Sequence, residues 1–338
     1  MNVESTALVL ARHSTEPHLP TLIAGAGHKA ALRFLEFFTV NIRNRNTRAA
    51  YARAAAAFLR WCEGQAISEL GRVQPVHVAA YIELLQRERS APTVKQHLAC
   101  IRMLFDWLVI GQVMPTNPAH SVRGPRHSVS KGSTLVLSSE EATALLTGMD
   151  VSTVVGLRDR AIIAVMTYTF ARVGAVVALT VEDYYPQKKR WWLRLHEKNG
   201  KLNEMPCHHK LEEYLDAYTK AAGIASDRNG PLFRSAIGRT GTLTGKPMSR
   251  MEVWYMVRRR AADAGVETAI GCHTFRATGI TDYLTNGGRI EVAQRMAGHS
   301  NAKTTGLYDR RNDDISVGEV GEDWDLNCKR RIVVYIID

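Results

Sequence analysis

Apolar residues in the first third of the chain recur at helical spacing. After Asn46 or Thr47, either a suitable cap, Tyr51, Ala55, Phe58 and Cys62 share one face and predict a helix over 46–62. A second helix is predicted near 75–88 with Val78, Tyr81, Ile82 and Leu85 inward. A third opens at Ser90-Ala91-Pro92 and carries Val94, Leu98, Ile101, Phe105 and Leu108. No strand signal precedes residue 130, so the N-terminal body reads as a small helical domain. Residues 112–134 then break every periodicity with Pro115, Pro118, Gly124, Pro125 and Gly132, and stay basic through Arg123, Arg126 and Lys131.

Beyond that break, Ser138 and Glu141 form a capping box ahead of the largely apolar run 142–146, and 160–169 reads as a largely buried helix. Trp191 to Leu195 alternates into Lys198-Asn199-Gly200-Lys201, where the Asn-Gly pair marks a β-hairpin. Helices are predicted again at 209–222, 248–264, 274–285 and 289–297, the last closed by Gly298. The expected fold is mainly α (α+β): an N-terminal arm over 1–23, a helical domain over 24–122, a linker over 123–134, and a mostly helical domain with a small β-sheet over 135–338. Within the last part, Gly318 and Gly321 interrupt helix propensity and 331–338 reads as a strand. No internal repeat is visible.

Composition narrows the class. Of 338 residues, 45% are hydrophobic and 23% charged, which excludes disordered, collagen-like and coiled-coil chains. The apolar runs Ala54 to Leu59 and Ile332 to Ile337 fall well short of the roughly 18 to 20 residues of a membrane span. Ala7 to Ala11 is too short for a signal-peptide core. Cys62, Cys100, Cys207, Cys272 and Cys328 form no C-x-x-C pair, so reduced thiols in a cytoplasm are expected. The net charge of +11 falls on both bodies: residues 1–130 hold 15 basic and 8 acidic side chains, residues 131–308 hold 24 and 17, and only 309–338 is acidic. A polyanion laid across both domains suits that distribution, because each neutralised phosphate releases counterions; a generic solubilising surface is the alternative. Arg48, Lys95, Arg102 and Arg123 are candidate DNA contacts, although the arginines at 45, 48, 53 and 60 would also simply solvate a helix.

Four segments carry candidate chemistry: Phe170 to Gly174, Glu197 to Lys201, His273 to Arg276, and Gly298-His299-Ser300 with Tyr308 nine positions after that histidine. His273 and Arg276 stand at i, i+3 on one helical face. Cys207-His208-His209 cannot close a tetrahedral metal site from adjacent positions, and no second ligand cluster sits at zinc spacing. Trp191 and Trp192 read as sheet packing in preference to base stacking.

In their order, these segments resemble the tyrosine recombinases, the phage-integrase and Xer-type family of site-specific DNA recombinases. Ala178 to Asp183 resembles the family's stretch after its first arginine, His273 to Leu284 its second box, and Met296 to Arg310 its Gly-His box running to the nucleophile. Residues 120–146 and the helix near 93–108 resemble its linker and DNA-gripping helix. The resemblance implies an N-terminal SAM-like DNA-binding domain and a catalytic domain that cleaves and rejoins strands through a 3′-phosphotyrosyl link. It implies Tyr308 as nucleophile, Arg172 and Arg276 as phosphate clamp, His273 as acid/base partner, His299 as a phosphate donor, and Lys198 as acid for the leaving 5′ oxygen. Lys201 flanks the same turn and takes that role if the hairpin slips in register.

The chemistry agrees with the carried-over residues. Two guanidiniums can clamp the oxygens of a phosphodiester attacked in line, and a phenol with a free pKa of about 10 needs such a clamp and a proton acceptor. No cofactor, ATP or metal is implied. The implied partners are double-stranded DNA bearing a recombination site and, from the resemblance alone, three further copies in a homotetramer, acting in the nucleoid of a prokaryotic cytoplasm with no membrane involved. The chain departs from the family at Phe170-Ala171, where Gly-Leu is usual, and at Ala175, where an acidic residue usually orients the first arginine. A type IB topoisomerase, or a DNA-binding regulator with a decayed active site, are the alternatives at this point.

Overall fold

The computed structural model describes residues 19–128, 132–197, 200–238 and 240–309, so the expected strand at 331–338 and Lys198 lie outside the described residues. The chain divides into two compact units, Met1–Ser128 and Val129–Asp338.

The first unit is helical throughout its described residues: α1 Thr21–Gly25, α2 His28–Glu36 continuing into a π-turn at Phe37–Asn41, α3 Arg45–Gly64, α4 Pro75–Glu88 and α5 Ala91–Ile110. The cap of α3 is Asn44, ahead of the expected Asn46 or Thr47; its side chain accepts from the Asn46 and Thr47 amides at 3.0 and 3.1 Å. Short α1 and the amphipathic α2 were not among the expected helices. They are held by long-range contacts such as Trp107 Nε1, which donates to the Arg33 carbonyl at 2.9 Å. Inside, Phe58 meets Tyr81 edge-on at 5.2 Å and Phe105 at 6.1 Å, all three buried. Phe58→Ala at that junction is expected to cost about 3–5 kcal/mol.

The second unit runs α6 Ser139–Thr147, α7 Val154–Tyr168, α8 Val173–Val176, β1 Tyr184–Gln187, β2 Arg190–His196, β3 Leu202–Pro206, α9 His209–Ala222, β4 Arg234–Ala236, β5 Leu243–Pro247, α10 Arg250–Asp263, α11 Cys272–Thr285, α12 Ile290–Met296 and α13 Ala302–Gly306. The Ser138–Glu141 capping box forms as expected, and Glu141 also accepts from the Thr268 hydroxyl at 2.9 Å, tying α6 to the approach of α11. Buried Asp159 on α7 binds Arg158 at 2.7 Å and Arg260 on α10 at 2.8 Å, so its charge is neutralised where apolar partners alone would leave it desolvated.

The hairpin widens into an antiparallel meander β1-β2-β3, with Leu193 opposite Tyr184 on one side and Met205 on the other. Trp191 stacks on Tyr184 at 4.4 Å, a packing role. The amide of Glu197 donates to the Lys201 carbonyl at 2.7 Å, which carries the pairing of β2 and β3 up to these two residues; Asn199 of the expected Asn-Gly turn lies outside the described residues. A second hairpin, β4-β5, was not expected, because its Gly- and Thr-rich residues carry little alternating signal. His208, from the triplet weighed for metal, caps α9 by accepting from the Lys210 amide at 3.3 Å and stacks on Tyr168 at 4.7 Å. Among the described residues, no helix is long and apolar enough to cross a membrane.

Gly279 sets the packing that matters most for the site. A Cβ there would lie 2.2 Å from the Thr167 carbonyl and under 3 Å from the Phe170 ring, so α11 approaches the end of α7 only because position 279 has no side chain.

Candidate active site

Between α7 and α8 the chain turns at Phe170, whose φ of +56° is rare for a bulky residue and costs of the order of 1–2 kcal/mol. Its ring is buried in a cluster that also holds Ala277, Ile280, Leu284, Ala293, Ala297 and Tyr308, and that burial offsets the strain. The turn points the Phe170 carbonyl at α11, where it accepts from Arg276 Nη1; Nη2 of the same guanidinium donates to the Ala297 carbonyl at the end of α12. Arg276 is 1% exposed, and its Nε has no hydrogen-bond partner among the described residues. Burial first, then the nearby Arg172 charge, pushes Arg276 down to about 10, opposed by Glu197 and Tyr308.

The end of α12 follows a Schellman pattern. Gly298, at φ +60°, donates to the Arg295 carbonyl at 3.0 Å, and His299 donates to the Gln294 carbonyl at 3.0 Å. That closure aims the buried His299 ring inward, where Nδ1 shares a 2.9 Å hydrogen bond with Thr305 Oγ1 on α13. Burial and the positive charges of Arg276, Arg172 and His273 push His299 down to about 4, so its ring is neutral near neutral pH.

Tyr308 follows α13 directly. Its amide donates to the Thr305 carbonyl at 3.0 Å and its carbonyl accepts from Thr281 Oγ1 at 3.1 Å, which fixes the backbone against α11. The ring lies nearly parallel to His299 at 6.1 Å, and the hydroxyl sits 3.3 Å from His273 Nε2. Desolvation, then Arg276 and Arg172, lowers the His273 pKa, which favours a neutral imidazole able to take the phenolic proton.

Arg172 stands at the N-cap of α8 with its side chain 43% exposed, and Nη1 donates to Glu197 Oε2 at 2.8 Å. The Glu197 side chain is only 5% exposed. Arg172, His273 with Arg276, His299 and Tyr308 therefore come together from four separate stretches of the second unit. Lys198 lies outside the described residues, and Lys201 is exposed at the foot of the loop. Sequence reasoning missed Thr305, Thr281 and Glu197 as partners; only the position of Glu197 just before Lys198 hinted at the last.

In the first unit, two candidate DNA contacts are committed to the protein itself. Arg48 donates through Nε and Nη2 to the Ile42 carbonyl at 3.1 and 2.9 Å. Arg102 donates to the carbonyls of Ala119 and Val122, pinning the segment after α5. Lys95 and Arg123 are exposed.

Residues 136–314 match the Phage integrase family, and residues 31–113 match the Phage integrase, N-terminal SAM-like domain. Similar proteins include the tyrosine recombinase XerD of Ralstonia nicotianae, 26% identical over 78% of this chain and 83% of the relative, and XerD of Corynebacterium glutamicum, 25% identical over 78% and 86%. Among solved structures, the chain is similar in fold to XerH recombinase bound to palindromic difH substrate, with TM-score 0.67 and 17% identity over 88% of this chain and 85% of that one. It is also similar to a lambda integrase dimer on a COC′ core site, with TM-score 0.65 and 16% identity over 93% and 87%.

Proposed function

This chain belongs to the phage integrase family and is a tyrosine-type site-specific recombinase, and from that premise we propose that Tyr308 is its nucleophile. The 3.3 Å approach of the Tyr308 hydroxyl to His273 Nε2, inside the cluster of Arg276, His299 and Arg172, carries the reading. In it, His273 accepts the phenolic proton as Tyr308 attacks the scissile phosphorus. Arg172 and Arg276 hold the non-bridging oxygens as charge develops, and His299 donates to one of them. Lys198 protonates the departing 5′ oxygen, with Lys201 as the other candidate across the loop. The 3′-phosphotyrosyl bond keeps the energy of the phosphodiester for rejoining, so the cycle closes without ATP or a metal.

The partner is double-stranded DNA with a recombination site, gripped by the basic 24–122 region and the catalytic domain and exchanged within a homotetramer. A lambda integrase tetramer bound to a Holliday junction shares the fold at TM-score 0.62 and supports that assembly. Its place of work is nucleoid DNA in a prokaryotic cytoplasm. A nicked suicide substrate tests the chemistry. Wild type is expected to form a covalent adduct, mass spectrometry to find the nucleotide on the peptide containing Tyr308, and Tyr308→Phe, which removes one oxygen and keeps the ring, to form none. An adduct on any other residue overturns the assignment.

A further inference from the structure

We propose that Glu197, at the foot of the β2–β3 hairpin, is the positioning residue that holds the Arg172 guanidinium in the phosphate clamp; this rests on the reading of Arg172 given above. Arg172 projects from the cap of a four-residue helix with its side chain 43% exposed. Left alone, such a side chain samples many rotamers, and fixing it costs conformational entropy. The ion pair found for it is the 2.8 Å contact to Glu197 Oε2. Position 175, one turn further along α8, offers no help: Ala175 is 4% exposed in the apolar core with Leu179, Val176 and Phe275.

The carboxylate is well placed to act as an anchor. The Glu197 amide is fixed to the Lys201 carbonyl at 2.7 Å, and the preceding His196 is tied to buried Asp183 at 3.0 Å, so the foot of the loop is held on both sides. The other oxygen, Oε1, is buried with no hydrogen-bond partner among the described residues, and Gly298 lies beside the side chain, where a Cβ would make an ordinary 3.9 Å contact with Glu197 Cγ and Cδ. A nearly buried carboxylate with one unsatisfied oxygen is a poor stabilising device, since desolvation outweighs the Coulombic gain of an imperfectly satisfied pair. It makes physical sense as the counter-charge of the site. It directs Arg172 and offsets part of the repulsion between Arg172 and Arg276, where its charge is also felt. Among the described residues Nη1 is the nitrogen engaged, which leaves Nη2 and Nε of Arg172 for a phosphate.

The test compares single-turnover cleavage of a nicked suicide substrate, at saturating protein, for wild type, Glu197→Gln, Glu197→Asp, Arg172→Ala and the Glu197→Gln/Arg172→Ala double variant, with DNA affinity measured alongside. Glu197→Gln keeps the shape and loses the charge. It is expected to slow cleavage on the order of 10²-fold, the typical consequence of a misplaced reacting group, with DNA affinity unchanged. Glu197→Asp is expected to recover part of that loss, and the double variant to be no slower than Arg172→Ala alone. Independent, multiplicative losses in the double variant, or a Glu197→Gln variant cleaving at the wild-type rate beside an inactive Arg172→Ala, overturn the positioning role and leave the clamp standing. An Arg172→Ala variant that cleaves normally removes the clamp reading itself, and this proposal with it.

Discussion

The two arginines of the site are held in opposite ways. Arg276 is 1% exposed and locked by two backbone carbonyls, Phe170 and Ala297, supplied by the packing of α11 against the α7–α8 turn and α12. Arg172 leaves 43% of its side chain in solvent and depends on one carboxylate from a hairpin loop. Backbone acceptors survive almost any nearby substitution, whereas a side-chain acceptor can move to another position of the chain. The buried half of the site is therefore bound to the fold, and the open half is free to be rewired, which is how Arg172 retains an acidic partner although position 175 is alanine.

The widest separation between the halves is expected in leaving-group chemistry. A general acid contributes on the order of 10²- to 10⁴-fold, so Lys198→Ala should slow cleavage of a normal 5′-oxygen substrate by that much. A 5′-bridging phosphorothiolate, whose thiolate leaves without a proton, should be cleaved nearly as fast as by wild type. Equal losses on both substrates remove Lys198 as the acid, and selective recovery of Lys201→Ala on the phosphorothiolate instead moves the role across the loop.

Next in size, Arg276→Ala deletes a preorganised donor and is expected to reduce cleavage roughly 10²- to 10³-fold. Unlike Glu197→Gln, it also strands two buried carbonyls, at about 1–3 kcal/mol each, so its urea midpoint should fall clearly. An Arg276→Ala variant as stable as wild type would contradict the locked half of the comparison.

The smallest effect concerns pH. His299 titrates at about 4 in the folded protein, against about 6.5 for a free imidazole. Between those values the unfolded chain binds a proton that the folded one refuses, so stability falls as pH is lowered from 6.5 towards 4 and the loss levels off below. His299→Gln lacks this contribution. Its melting temperature should decline less steeply over that window than that of wild type, while the share from His273 remains in both. Parallel slopes would show that the His299 ring is not buried in its neutral form.

Most helices of the chain were readable because each rests on local facts. The periodic faces of α4 and α5, the Ser138–Glu141 box and Gly298 after α12 fall within a few residues of the positions they govern. The residues brought into the site were readable from motif order, which tertiary packing only had to assemble. Where local signal was weak, as in α1 and β4–β5, or where a residue had two plausible uses, as for Arg48 and Arg102, sequence could not choose.

By itself, then, the sequence determined the helical two-part plan, the basic charge and the ordered set of arginine, lysine, histidine and tyrosine. What holds the arginines, the histidines and the tyrosine comes from tertiary packing. The Phe170 carbonyl reaches Arg276 across 106 positions of chain, Glu197 reaches Arg172 across 25, and Tyr308 reaches His273 across 35. No local propensity encodes such contacts. They exist because helices pack at distances set by their side chains, and at Gly279 by the absence of one.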